Sequence, residues 1–65
     1  MQTWRATYSV PLREEPSTSS EKLRQVPRNT TLRALEQRGE WLRAEYDHDG
    51  ETVTGWVNTG FISQA

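Results

Sequence analysis

Apolar and polar residues alternate one by one through much of this chain, which is the period of a β-strand with one buried face. The clearest run is residues 40–46, Glu-Trp-Leu-Arg-Ala-Glu-Tyr. Leu42, Ala44 and Tyr46 fall on one side of it, and Trp41, Arg43 and Glu45 on the other. Residues 52–57, Thr-Val-Thr-Gly-Trp-Val, read as the antiparallel return strand. Between the two lies Asp49-Gly50, a pair favoured where both central residues of a hairpin turn need positive φ. Gly55 inside the return strand predicts a bulge or the close approach of another side chain.

The flanking segments carry the same signal less strongly. Residues 3–10 are rich in aromatic and β-branched types and predict a strand with Trp4, Ala6 and Tyr8 on one side. Residues 11–22 hold Pro11, Pro16 and a Ser-Thr-Ser-Ser cluster, which preset or locally bond a turning backbone, so an ordered long loop is expected. Residues 22–26 form a short strand candidate with Leu23 and Val26 turned inward. Pro27 and Asn29 make 27–30 a turn, because Pro fixes φ and Asn tolerates a left-handed conformation. Residues 31–37 consist of good helix formers, but the segment between its turns is too short for a stable helix in water. It is therefore read as a strand with Leu32 and Ala34 on one side. Gly39 closes a tight turn, and 58–62 is one short turn feeding a last short strand. Five short strands at regular spacing, with no helix, predict a small all-β barrel or sandwich.

Composition narrows the function. At 65 residues the chain is one small domain with a thin core. It has no cysteine, so neither a disulfide framework nor a thiolate metal site is available. No apolar run approaches the ~20 residues of a membrane span, and residues 1–10 lack the apolar stretch of a secretory signal. The expected location is the cytoplasm if the chain is complete, and the cell envelope if it is a domain of an exported protein. The formal charge of −1 argues against a nucleic-acid partner, whose affinity would rest on a positive excess. Of the eight cationic residues only Lys22 is a lysine; the arginines read first as solvated strand faces. The single histidine, His48, sits between Asp47 and Asp49, which suggests a solvated turn tip ahead of a cation site. No nucleophile–base pair, Gly-rich phosphate loop or deep cleft is foreseen, so no catalysis and no cofactor are expected.

Trp41 is the sharpest candidate. With Leu42 and Ala44 in the core it points outward, towards the long loop. Leaving so large a side chain in water forgoes burial worth roughly 1.5–3 kcal/mol, so a ligand or a loop is expected over it. Alternation places Val57 in the core and Trp56 in a partly exposed structural role, with ligand contact as its second reading. Trp4 either lids one end of the barrel or contacts another subunit. Glu14, Glu15 and Glu21 make the loop acidic, read either as ordinary solvated charge or as an attraction for Lys or Arg of a ligand.

Three stretches together resemble bacterial Src-homology-3 (SH3) domains. Val10–Leu23 is similar to their Leu-Asn-Val-Arg…Pro-Ser-Thr-Ser-Ser segment, Gly39–Tyr46 to their Gly-x-Trp-x-x-Val strand, and Gly55–Ile62 to their Gly-Trp-Val-x-x-x-Tyr-Leu ending. The likeness spans about 6–62. It implies a five-stranded SH3-like barrel and a non-catalytic binding role. By position, Trp41 matches the groove tryptophan of this family, Phe61 the terminal groove tyrosine, and Tyr8 the groove tyrosine of the first strand. Asn58 and Phe61 stand where eukaryotic members carry Pro and Tyr, which argues against proline-rich recognition.

The expected ligand is a peptide held by Tyr8, Trp41, Trp56 and Phe61 beside Glu14 and Glu15. It would be a protein segment, or a stem peptide of peptidoglycan for an exported protein. The alternatives are a small assembly or inhibitor protein docking by a strand edge or a tryptophan patch, and a nucleic-acid-binding barrel. No membrane insertion is expected.

Overall fold

The strongest alternation becomes the centre of the sheet. In the computed structural model, which describes residues 3–64, β5 (Trp41–His48) and β6 (Glu51–Asn58) pair along their whole length, from Trp41 opposite Asn58 to His48 opposite Glu51. Asp49 and Gly50 join them with φ of 50° and 82°, the double positive φ that the Asp-Gly pair supplies. The remaining strands are β1 (Thr3–Ala6), β2 (Val10–Arg13), β3 (Lys22–Val26), β4 (Thr31–Arg38) and β7 (Ile62–Gln64). A short 3-10 turn, Thr59–Phe61, precedes β7.

The architecture is all-β and SH3-like. Its pairings are antiparallel and form one sheet of seven strands in the order β3-β2-β6-β5-β4-β1-β7. Every strand contributes to the same buried cluster, including Ala6, Leu12, Val26, Leu32, Leu42, Val57 and Ile62. The sheet therefore curls around a common core. No pairing joins β3 to β7 among the described residues, so the curl stops short of a closed barrel. Seven strands rather than five arise because the expected strand 3–10 breaks after Ala6, with β2 starting at Val10, and because the last short segment pairs as a separate strand, β7. At Ala6 the backbone turns to new partners: Asn29 N–H donates to Ala6 O at 2.8 Å, and Thr7 N–H to Phe61 O at 2.9 Å.

Chain direction resumes at Val10, so the segment 11–22 is not loop throughout. Its first part is β2, and only residues 14–21 form the excursion. Pro11, which lacks an N–H, is tolerated in β2 because β6 pairs with that strand only at Arg13, opposite Trp56.

Leu23 is exposed, against the expectation that it turns inward. Arg24 pairs with Leu12 and Lys22 with Arg13, so Leu23 is the extra residue of a β-bulge and has no opposite number. Leu35 has the same origin, lying between the pairs Ala34–Ala44 and Glu36–Arg43. Val26, Leu32, Leu42, Ala44 and Tyr46 are buried as alternation requires, and Ala34 packs against them. Gly55 marks a close approach: a Cβ there would lie 2.8 Å from both Arg13 O and Leu12 Cγ. Trp4 packs against the core from β1, with its Nε1 buried and without a hydrogen-bond partner among the described residues.

Candidate functional site

Pairing register lays out the outer face of the sheet as rows of side chains. One row runs Asn58, Trp41, Arg38 across β6, β5 and β4; the next runs Arg13, Trp56, Arg43, Glu36 across β2, β6, β5 and β4. Trp41 is half-buried at the edge of a shallow cavity of about 70 Å³. Val10, Pro11, Trp41 and Phe61 supply its apolar lining, and Arg13, Thr18 and Asn58 its polar lining. Trp41 thus faces both the excursion 14–21, through Thr18, and an open concavity.

Phe61 reaches this cavity because its turn is fixed at both ends. Asn58 caps it: its Oδ1 accepts from Gly60 N–H at 2.8 Å. Thr59 donates to Glu40 O from its N–H at 2.8 Å and from its Oγ1 at 3.1 Å, tying the turn to the β4–β5 hairpin. Phe61 O in turn accepts from the N–H of Thr7 at 2.9 Å and from its Oγ1 at 3.0 Å. The same bend carries Tyr8, whose ring meets Phe61 edge-on at 6.3 Å and 88°. Tyr8 is 61% and Phe61 45% exposed. Two rings that would normally be covered therefore remain open beside the cavity. Tyr8 extends this aromatic surface without lining the cavity itself.

The excursion is ordered by its own hydroxyls. Ser20 Oγ lies 2.9 Å from Glu15 O and 2.7 Å from Ser17 O, while Ser19 N–H donates to Ser17 Oγ at 3.2 Å. Glu14 N–H donates to Glu21 O at 2.9 Å, closing the base of the loop. Arg13 Nη1 donates to Ser20 O at 2.8 Å, which anchors the loop to the cavity lining. Glu14 and Glu15 are exposed, and among the described residues neither carboxylate enters an ion pair. They leave uncompensated negative charge on that flank.

Trp56 differs from the expectation of a partly exposed side chain. It is 9% exposed, yet it lies outside the core cluster and does not line the cavity. The Arg38 guanidinium over its ring accounts for part of this. Arg13 and Arg43 are its neighbours across the two adjoining strands, and the guanidinium of Arg38 lies 5.5 Å from the centre of its ring. Long cationic side chains can cover an indole with their methylene stems and keep their charge in water. The abundance of arginine in the sequence was the available sign of this cover, but read as solvated strand faces it gives no hint of a shared target. Asn58, Pro11, Arg13 and Thr18 also join the cavity without having been foreseen as site residues.

His48 is engaged within its own hairpin. Its ring stacks on Tyr46 at 5.7 Å, its Nδ1 lies 3.3 Å from Tyr46 Oη, and its Nε2 lies 3.2 Å from Asp49 Oδ2. No group of three or more His, Cys, Asp or Glu side chains among the described residues could hold a metal ion. No helix in the described chain is long and apolar enough to cross a membrane. Comparison with known families matches residues 9–63 to the bacterial SH3 domain. No curated protein matches the sequence.

Proposed function

Because the chain belongs to the bacterial SH3 domain family, whose members are generally non-catalytic protein- and peptide-binding modules, we propose that it holds a peptide in the groove formed by Tyr8, Trp41 and Phe61. The observation that carries this reading is the meeting of Trp41 and Phe61 around one open concavity, with Tyr8 edge-on to Phe61. Exposed rings beside a cavity of about 70 Å³ suit a small apolar side chain of an extended segment. Glu14 and Glu15 on the loop flank favour a ligand with Lys or Arg at that end. The ligand is either a segment of a partner protein or a stem peptide of peptidoglycan. Trp56 supports the floor beside the groove, being nearly buried with the Arg38 guanidinium over its indole.

Proline-rich recognition is disfavoured. Asn58, at the position of the eukaryotic proline, is committed through its Oδ1 to capping the turn that presents Phe61. Docking by the β3 edge is disfavoured too. Edge strand β3 carries Lys22 and Arg24 and is bulged at Leu23, devices that discourage pairing with another chain.

The test is chemical-shift mapping on the intact chain, using two probes. One is a synthetic stem tetrapeptide, and the other an acetylated Lys-Val-Ala-Glu-Ala amide. Shifts should centre on the Trp41 indole, Phe61 and Tyr8. Trp41→Ala should lower affinity about tenfold or more while preserving the dispersed spectrum of a folded protein. A Trp41→Ala protein that binds normally, or that unfolds, makes Trp41 packing for the loop and ends the proposal.

A further inference from the structure

The arginine cover of Trp56 has a charge imbalance that points to the ligand's other end. The outer face carries Arg33, Arg38 and Arg43 with the carboxylates Glu36, Glu45 and Asp47. Arg33 takes two of them, Glu45 at 3.2 Å and Asp47 at 3.3 Å. Arg38 takes Glu36, its Nε lying 2.9 Å from Oε2. Glu36 is also the residue opposite Arg43, so the acid best placed for Arg43 is already engaged. Among the described residues Arg43 has no ion-pair partner.

Geometry brings the Arg38 guanidinium into the row that Arg43 shares with Trp56. Arg38 stands on β4 and Trp56 on β6, with β5 between them, a span of roughly 10 Å across two strand spacings. To lie 5.5 Å from the Trp56 ring, the Arg38 side chain must cross β5 between Trp41 and Arg43. Arg38 therefore lies over the indole to which Arg43 is the cross-strand neighbour, directly beside the tryptophan of the groove. Arg13, which lines the groove and neighbours Trp56 from the other side, makes the two surfaces continuous.

We propose that Arg43, with Arg38 stacked on Trp56, forms a carboxylate subsite for an Asp or Glu side chain of the peptide held at Trp41. The proposal rests on the groove reading above. A guanidinium fork offers paired donors to a carboxylate, and stacking on an indole fixes the plane of the fork before the ligand arrives. Arg38 keeps its terminal nitrogens for this purpose, since Glu36 engages its Nε. A polyphosphate chain suits the site less well. The domain is already balanced at −1, and Glu14, Glu15 and Glu21 on the far flank of the groove would repel a continuous anion. The groove is thus polarised, selecting a cation towards the loop and an acid towards β4.

The test compares the acetylated Lys-Val-Ala-Glu-Ala amide with its Lys-Val-Ala-Gln-Ala twin on the full chain, at low and high salt. The acidic twin should bind about fivefold tighter at low salt, shifting the Trp56 indole and the Arg43 side-chain signals. Arg43→Gln should bring the ratio between the twins close to one, and Arg43→Glu should invert it. Equal affinities with shifts at Trp41 and Phe61 overturn the carboxylate subsite and leave the groove standing. Preference for the acidic twin without a shift at Trp41 retains the subsite and removes the groove. Displacement of the acidic twin by a thymidine oligonucleotide would make the surface a general anion site, and no shift from either twin at millimolar concentration would also overturn the proposal.

Discussion

Trp41 and Trp56 stand on the same face of neighbouring strands, yet their surroundings assign them different work. Trp41 lies between Asn58 and Arg38 and borders an open cavity, while Trp56 stands between Arg13 and Arg43 in register, with the Arg38 guanidinium over its ring. Alternation alone could separate both from Val57 and Leu42, but not from each other. What distinguishes them is which long side chains lie across the strand, a property of register that becomes visible only after pairing. Gly55 was the better-marked residue, because a glycine in mid-strand already implies something close by. Gly55→Ala should destabilise the fold by about 1–3 kcal/mol, since its Cβ would meet Arg13 O and Leu12 Cγ at 2.8 Å. A urea titration against the parent chain reads this directly, and an unchanged midpoint would show that β2 can move away.

Among the elements, the β5–β6 hairpin was legible because strand pattern and turn chemistry agree there, and Asp49 and Gly50 adopt the conformations their identities favour. The segment before residue 14 was not. Trp4, Ala6 and Tyr8 form a continuous alternating series, and nothing local announces that the backbone after Ala6 changes partners. Leu23 failed for a related reason. A single inserted residue reverses the facing of a side chain, and the insertion depends on β2, not on β3 itself. The expectation of an ordered loop over 11–22 holds for the part that stays loop, 14–21, and its hydroxyl network supplies the reason. Ser20→Ala removes the side-chain contacts to Glu15 O and Ser17 O, and should cost about 1 kcal/mol. Hydrogen exchange at the Glu14 and Ser20 amides should accelerate before that of the β5 amides. Because Thr18 lines the cavity from this loop, the same variant should also weaken peptide binding.

At the scale of the whole molecule, one thin core serves a curled sheet with two free edges. A domain of 65 residues is held by roughly 3–10 kcal/mol in total. Leu32 is fully buried, and Leu32→Ala should remove about 2–5 kcal/mol of that. The variant should be largely unfolded at 37 °C, as circular dichroism melting would show; a cooperative melt near that of the parent would mean the sheet recloses around the gap. Such a core leaves little room to build a deep cleft, which is why the proposed recognition surface is a shallow one on the outer face, with walls borrowed from a loop and a turn.

The pairing of β1 with β7 carries a last consequence. Trp4 sits opposite Gln64, while Phe61 and the groove lie beyond the other end of that ladder, past Ala6 and Ile62. The domain is thus wired like a plug, with the first and last described strands side by side and the proposed contacts on a different end. A domain of this layout can be spliced into a surface loop of a host fold, or strung in tandem on short tethers, without its own connections shading the groove.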